Sequence, residues 1–525
     1  MKILLGADIG IDWERYGNLS VKGTIEEEFE EELHRVINEE VNSESNLMSL
    51  FKKNNRFFSL VLEKDEYIYA AVDHLRMYPL YYSIKNGQAY LSDDAKWIRQ
   101  IVQDKKMDEL AATEFLMTGY VTGGDTLFPN VKQLQAGEYL IYNRIDKSVE
   151  VKRYNVSRII ENCSFDKEAA FNELDQIHMN VFERLIESLN GRTAVIPLSG
   201  GYDSRVIAMM LKRLGYENVI CFTYGRPGNK EAKVSKEIAE FLNYDWLFVS
   251  YTPEKWTKWF ESKEKEEFFN ISNGLTSLAH IQDHMAIGEL KDKGLIPEES
   301  VIIPGHTAML SFSGYNQDIG NNNQVTSAIM KKHYSLWSQP YKKNTRIREE
   351  LEKRVLQAIG SFRDQGETIE NSIYFWELSE RHAKFICNSV RAYEQFGYEW
   401  RLPLWEKEMV DFWLNIPQKF RLDKILYKEY FDRQFVSKKK EISTPNIGNE
   451  NIGFNYLKEK VKEKKLLLNV ALKIKKISAY YRHPLDWYKI ISFSEYLNGL
   501  LKGAVNINSF LSKRYIDYIK RKKQD

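Results

Sequence analysis

Residues 193–214 pass from an apolar β pattern through two glycines into an amphipathic helix, and no other segment restricts the fold of this chain as strongly. Thr193-Ala194-Val195-Ile196-Pro197-Leu198 has the character of a short buried parallel strand. Val206, Ile207, Met210, Leu211 and Leu214 then recur at helical spacing until Gly215 stops the pattern. Between them stands Ser199-Gly200-Gly201-Tyr202-Asp203-Ser204. A strand, a glycine turn and a helix N-terminus together make a phosphate-binding geometry. Residues without Cβ let the backbone approach an anion, and unpaired N–H groups at the positive end of the helix dipole face it. The two serine hydroxyls add donors, and Asp203 can reach a magnesium ion carried by the phosphates. No Gly-Lys-Ser/Thr follows, so the common nucleoside-triphosphate loop with its phosphate-contacting lysine is excluded.

The next sixty residues extend the same pattern. Asn218–Tyr224 is β-rich, Glu231–Leu242 is helical, and Trp246–Ser250 is a third strand, which predicts a doubly wound parallel sheet. Its ligand crevice is expected at the carboxyl ends of the strands, where the glycine turn lies. Residues 1 to about 155 are instead dominated by short aromatic and β-branched runs. Phe57–Leu62, Tyr67–Val72, Leu80–Ile84 and Ala89–Leu91 are joined by polar turns such as Lys85-Asn86-Gly87-Gln88. Thr126-Leu127-Phe128 and Glu138–Tyr142 continue that β grammar. Phe165–Asn190 reads as one amphipathic helix, Val301-Ile302-Ile303 as a buried strand, and helix signals dominate beyond Glu254.

At 525 residues, two or three domains are expected. The cysteines, Cys163, Cys221 and Cys387, form no CxxC pair. This excludes a disulfide scaffold and a cysteine-rich zinc site, and suits a reducing cytoplasmic location. The N-terminal apolar run is too short for a signal peptide, and no apolar stretch approaches a membrane span. The formal charge of +1 gives no global attraction to nucleic acid. It is unevenly spread, because residues 451–525 hold 17 Lys/Arg against 6 Asp/Glu. The Tyr456–Ser478 stretch and the terminal Lys520-Arg521-Lys522-Lys523 read first as a solvated basic helix on an acidic body, and second as a contact for an anionic partner or membrane surface.

Taken in order, these segments resemble the asparagine synthetase family. Ser199–Ser204 is similar to that family's pyrophosphate loop, and Ala71-Val72-Asp73 with Tyr78-Pro79-Leu80-Tyr81-Tyr82 to its glutaminase-domain pattern. Leu91–Trp97 stands where the family has a Ser-Glu-x-Lys stretch, and Phe128–Val131 with Leu134–Glu138 resembles its closing hairpin. Gly397-Tyr398-Glu399-Trp400-Arg401-Leu402-Pro403-Leu404 resembles its Gly-x-Glu-x-Arg-x-Pro-Phe element. The resemblance implies an α+β, degenerate Ntn-type β-sandwich over residues 1–160 and a doubly wound α/β ATP-pyrophosphatase domain over 165–445. A basic helical extension over 450–525 would follow.

What the resemblance implies about chemistry is ATP-dependent amide formation. A carboxylate attacks the α-phosphate to give an acyl-adenylate and pyrophosphate, and ammonia or an amine then displaces AMP. Leu198, Ser199, Gly200, Gly201, Tyr202, Asp203, Ser204, Phe222 and Gly305 would hold ATP, with Asp203 also on Mg2+. Glu399 and Arg401 would stand near the acyl group, and a lysine among Lys438, Lys439 and Lys440 would assist.

Two departures from the family pattern stand out. No cysteine follows Met1, and no Arg-Gly-Pro-Asp or Asn-Gly-Glu element appears in the first 57 residues, so glutamine hydrolysis is not expected. The nitrogen would then come from ammonia, an amine substrate or a separate glutaminase. Pro304-Gly305-His306-Thr307-Ala308-Met309-Leu310 stands where the family has Ser-Gly-Glu-Gly-x-Asp-Glu, putting His306 and Met309 in acidic positions. A thioether is a poor ligand for a hard cation.

His306 is expected to be a satisfied polar residue, and Trp400, Trp405 and Trp413 core. Asn388, Ser389 and Arg391 form a polar cluster open to substrate contact or buried hydrogen bonding. The leading reading is an amide-forming ligase acting on a small-molecule carboxylate such as a sugar carboxylate of a surface polysaccharide. A lactam-forming cyclase is the alternative enzyme, and a pseudoenzyme scaffold the rival outside that class.

Overall fold

The structure, a computed structural model, describes residues 1–6, 11–23, 29, 31–33, 44–154, 165–309, 321–337, 343–363, 369–436 and 476–521. Cys163, Leu310, Lys438, Lys439, Lys440, Lys522, Lys523 and the basic stretch up to residue 475 lie outside them.

The first half is built from strands β1 (Lys2–Leu4), β2 (Glu14–Tyr16), β3 (Leu19–Gly23), β4 (Phe58–Glu63), β5 (Tyr67–Val72), β6 (Tyr81–Lys85), β7 (Gln88–Ser92), β8 (Lys132–Gln133), β9 (Glu138–Asn143) and β10 (Val149–Arg153). They form two sheets, ordered β1-β7-β6-β8 and β10-β9-β5-β4-β3-β2. The turn between β6 and β7 is Asn86-Gly87, both left-handed (φ 51° and 71°), which matches the twist of a two-residue hairpin. Alternation along β5 divides its side chains between two cores. Ile68, Ala70 and Val72 pack with Leu80, Leu91 and Leu134 between the sheets. Tyr69 and Ala71 pack on the other face with Leu47, Leu50 and Phe51 of helix α1 (Glu44–Lys53). A one-residue slip would exchange these faces, so the two cores fix the register.

Thr126-Leu127-Phe128 departs from the β expectation and forms no strand. Pro129 follows it, and the Thr126 hydroxyl closes a turn by accepting from the Phe128 N–H at 3.1 Å and donating to the Val131 carbonyl at 2.8 Å.

Helix α2 (Lys167–Leu189) leads into the second half. Asp166 caps its start by accepting from the N–H groups of Glu168 and Ala169, and Asn190 ends it in the left-handed conformation. The α/β sheet follows: β11 (Ala194–Pro197), helix α3 (Tyr202–Arg213), β12 (Val219–Gly225), helix α4 (Lys230–Leu242), β13 (Asp245–Ser250), and, after a helical segment, β14 (Val301–Ile302) and β15 (Glu399–Trp400). All five strands are parallel, in the order β13-β12-β11-β14-β15. The chain leaves β11 toward β12 and later returns to its other side at β14. This reversal opens a crevice at the carboxyl ends of β11 and β14.

Helix α5 (Ile425–Phe431) approaches that crevice, and helix α6 (Ile507–Arg521) closes the described chain. The described part of the basic C-terminal region packs on the body. Phe115 stacks on Tyr515 of α6 at 5.3 Å, and the Trp256 indole donates to the Leu485 carbonyl at 2.5 Å. Among the described residues, no helix is long and apolar enough to cross a membrane.

Candidate functional site

The glycine turn sits directly after β11. The Leu198 N–H donates to the Phe222 carbonyl of β12 at 2.8 Å, and the Thr223 hydroxyl donates to the Leu198 carbonyl at 2.5 Å, which anchors the start of the turn. Within it, the Ser199 N–H donates to Ser204 Oγ at 3.0 Å, the two serine oxygens are 3.1 Å apart, and the Gly201 N–H donates to Ser199 Oγ at 3.1 Å. The buried Arg205 guanidinium donates to the Gly200 carbonyl from behind. These bonds hold the turn in one shape without a ligand.

Gly201 is the N-cap of α3 and supplies no side-chain cap, so first-turn N–H groups of a 12-residue helix remain free for an anion. Across the crevice, a Cβ on Gly305 would lie 2.8 Å from Ser204 N, a backbone approach that only glycine permits. The structure therefore brings Leu198, Ser199, Gly200, Gly201, Tyr202, Asp203, Ser204, Phe222 and Gly305 into one neighbourhood.

Sequence reasoning missed Lys424. Its ammonium stands 3.0 Å from Asp203 Oδ2 and 3.4 Å from Oδ1, across 221 positions of sequence. Asp423 and Lys424 are both left-handed (φ 51° and 59°) just before α5. Two successive non-glycine residues in that region store strain, a condition that clusters at functional sites. Nothing local distinguishes Lys424 from the other lysines of the region. Below the pair, burial and the Asp203 charge hold the Tyr427 phenol well above its ordinary range.

Glu399 and Arg401 are not brought to the loop. Glu399 is in register with Val301, which is in register with Ala194 at the amino end of β11. The loop begins five residues further on, roughly 16 Å along the strand. Glu399 instead accepts from Arg192 NH1 at 2.6 Å and Arg401 NH2 at 2.9 Å, while Arg401 Nε donates to Ser188 Oγ of α2 at 3.2 Å. Burial pushes the Glu399 carboxyl up, but hydrogen bonds and charge from the two arginines more than offset that and leave it below its ordinary value. The trio ties α2 to β15 at the far end of the sheet. A catalytic placement for Glu399 and Arg401 is corrected to a structural one.

His306, next to Gly305, is not satisfied as expected. Its Nδ1 is shielded and has no protein partner, and its Nε2 lies 3.4 Å from Ser389 Oγ. Burial pushes its pKa down to about 4, so the ring is neutral at pH 7. Met309 is buried at 2 % exposure. Trp400, Trp405 and Trp413 are core residues, as expected. Asn388 donates to Ser277 Oγ at 3.1 Å and Arg391 to Glu394 at 2.5 Å, the buried hydrogen-bonding role for both.

The donor set fits ATP better than a protein-built metal centre. Asp203 offers one carboxylate, shared with Lys424, and neither His306 nor Met309 offers an oxygen ligand. Among the described residues, no group of three or more His, Cys, Asp or Glu side chains is placed to hold a metal ion.

Comparison with known proteins agrees with this layout. Residues 191–437 match the family described as asparagine synthase, and residues 49–155 match a glutamine amidotransferase domain. The chain is 24% identical over 273 residues to asparagine synthetase [glutamine-hydrolyzing] 1 of Bacillus subtilis (strain 168), covering 50% of this chain and 40% of that protein. Among solved structures, the NH3-dependent NAD synthetase of Campylobacter jejuni is similar at 16% identity, with 42% of this chain and 96% of that chain covered and a TM-score of 0.22. NMN synthetase of Francisella tularensis is similar at 14% identity, with 40% and 97% covered and a TM-score of 0.20. Two family domains matched in this order, with the glycine turn of the second at the mouth of its parallel sheet, mean that the chain belongs to the asparagine synthetase family.

Proposed function

We propose that this protein is an ATP-dependent ligase that joins a small-molecule carboxylate to ammonia or an amine, with release of AMP and pyrophosphate. The observation that carries the reading is the Ser199–Ser204 turn, held open at an uncapped helix N-terminus with the Lys424 ammonium drawn to its edge. ATP bound there supplies an α-phosphate that a carboxylate can attack, making its carbonyl carbon reactive toward nitrogen.

The protein's part is electrostatic. The Ser199 and Ser204 hydroxyls and the first N–H groups of α3 bind the pyrophosphate portion. Lys424 then exchanges part of its interaction with Asp203 for the negative charge that develops as pyrophosphate leaves. Magnesium arriving on the phosphates would touch Asp203, and the phosphates would supply its other protein-independent oxygens. His306 presents a neutral imidazole with an unused nitrogen one residue from Gly305. It is proposed to hold the attacking nitrogen by a hydrogen bond rather than to take its proton, because a ring whose burial resists protonation is a poor base.

The first domain is proposed not to hydrolyse glutamine. Cys221 and Cys387 are both buried in the second half, and burial pushes their thiols up, Cys221 to about 12, so neither is a thiolate nucleophile.

The test is Mg-ATP binding by thermal shift on wild type, Ser199→Ala and Lys424→Met, followed by a search for AMP with uronic-acid-type and amino-bearing carboxylates. Wild-type stabilisation that is weakened in both variants, with carboxylate-dependent AMP release, is the expected result. A folded wild type with no response to Mg-ATP, alone or with these carboxylates, would leave a scaffold as the better reading. Release of glutamate from glutamine would refute the proposal for the first domain.

A further inference from the structure

A cavity of about 320 Å3 is lined by residues of both the first domain and the α/β domain, and none of residues 198–204 lines it. The two halves are joined around it by backbone bonds. The Val121 N–H donates to the Thr276 carbonyl at 2.8 Å and the Leu127 N–H to the Leu275 carbonyl at 2.9 Å. Gly274 approaches Tyr81 so closely that a Cβ there would lie 1.8 Å from the phenol oxygen.

Arg76 lines this cavity and is only 5 % exposed. Its φ is 58°, left-handed for a long side chain, and Asp73 holds the turn by accepting from the N–H groups of Leu75 at 2.7 Å and Met77 at 3.0 Å. A strained backbone that presents one particular side chain needs a compensating gain. The Arg76 guanidinium donates to the Tyr81 hydroxyl at 3.2 Å, its Nε has no partner, and no carboxylate among the described residues pairs with it.

The other charged groups of the cavity are committed elsewhere. Lys384 bonds Glu380 at 2.6 Å and the carbonyls of Val121 and Gly123, and Arg391 bonds Glu394 at 2.5 Å. Asp93 accepts from the Trp13 indole at 2.8 Å and pairs with Lys22 at 3.6 Å, Asp94 caps the helix that follows it, and Lys96 donates to Asn270 Oδ1 at 3.1 Å. Arg76 is thus a buried cation left over among the described residues. A buried charge is strongly unfavourable until it is paired.

We propose that this interdomain cavity binds a small oxyanion, a carboxylate or phosphate group, through Arg76 and the Tyr81 hydroxyl. The planar guanidinium fork matches either group. The volume, at the low end for ligand sites, suits a compact metabolite. The wall formed by Asn388, Ser277 and Thr276 is neutral and polar, its side chains already bonded within the protein, so it adds no competing charge beside Arg76. Because these residues come from both domains, occupancy stabilises their docking.

The experiment is thermal unfolding of the full chain against succinate and, separately, inorganic phosphate at matched ionic strength, using wild type, Ser199→Ala, Arg76→Met and Arg76→Gly. The site requires a midpoint that rises with the logarithm of anion concentration in wild type and in Ser199→Ala, where the glycine turn is impaired. It also requires that the rise vanish in both Arg76 variants. Arg76→Gly relieves the left-handed strain, so it remains a usable folded protein if Arg76→Met does not fold. A response to succinate alone assigns the site to carboxylates, and one to phosphate alone, surviving Ser199→Ala, assigns it to phosphates. No response to either anion, or a response retained in Arg76→Gly, overturns the site.

Discussion

Glu399 provides the sharpest separation between what the family resemblance implies and what the geometry allows. The substitution Glu399→Gln removes one charge from the Arg192–Glu399–Arg401 trio and leaves the glycine turn, roughly 16 Å away along β11, untouched. Glu399 is 39 % exposed, so its two ion pairs are substantially screened, and each is worth about 0.5 kcal/mol rather than the value of a buried pair. The glutamine keeps an acceptor for one arginine, and the net loss is about 0.5 kcal/mol. In a chain of this size that lowers the melting midpoint by only about 0.5 °C. Because the folded carboxyl lies below its ordinary value, the contribution is present above the unfolded pKa and fades as pH falls through the folded one. The difference between wild type and Glu399→Gln should therefore narrow in acid. Mg-ATP affinity and the rate of AMP release should stay within about twofold, less than 0.5 kcal/mol. A fall of a hundredfold or more in that rate, with the melting midpoint unchanged, would refute the structural role and return Glu399 to the reacting centre.

Three further outcomes follow from the same geometry. Gly305→Ala forces a Cβ to within 2.8 Å of Ser204 N, so it should cost about 1–3 kcal/mol through overpacking and abolish the Mg-ATP thermal shift; a normal shift in this variant would show that the two loops can separate freely. Lys384→Met breaks a fully buried pair with Glu380 and orphans the carbonyls of Val121 and Gly123, for a loss of about 3–5 kcal/mol in thermal or chemical unfolding; a loss under about 1 kcal/mol would refute the interdomain role of that pair. All eight described histidines are pushed down by burial, six of them to about 4, so the unfolded chain takes up protons that the folded one refuses. Stability should drop steeply as pH falls from about 6.5 toward 4, partly opposed by Asp73, raised to about 7, which favours the folded state as acidity increases. Equal unfolding free energies at pH 7 and pH 5 would contradict this.

The parts of the fold legible in the sequence were those fixed by local chemistry. The run from β11 through the glycine turn into α3 combined an apolar strand, two glycines and a helical period, and the Asn86-Gly87 hairpin carried its own turn signal. Asp166 and Asn190 bounded α2 close to its expected limits. Thr126-Leu127-Phe128 had strand-forming residues, but a hydroxyl-closed turn before Pro129 decided its conformation. The site was legible on the loop side alone. Lys424 reaches Asp203 from 221 residues away, a relation that no local pattern encodes. Glu399 was misplaced because a motif specifies neighbours along the chain, whereas the parallel register of β14 and β15 decides which end of the sheet they occupy. Arg76 escaped notice because the sequence shows neither its positive φ nor its lack of an acidic partner among the described residues.

The two sides of the crevice have different electrostatic demands, and the difference constrains the reaction. On the loop side, Ser199, Ser204, the uncapped helix and Lys424 all favour negative charge, while Asp203 alone opposes them and is already neutralised by Lys424. Phosphate entering there replaces one partner of Lys424 with another, so little charge has to be desolvated at the moment of binding. On the facing side, His306 next to Gly305 presents a neutral imidazole, and Met309 is buried in the core. Asp283 is the acidic group whose charge acts on the His306 ring, and an amine that enters as a cation must lose its proton before it attacks. The rate of amide formation should therefore rise with pH as the amine deprotonates, with His306→Ala lowering the plateau more than it weakens Mg-ATP binding. A rate insensitive to both the amine's pKa and the His306 substitution would mean that the nitrogen enters from another side of the acyl group.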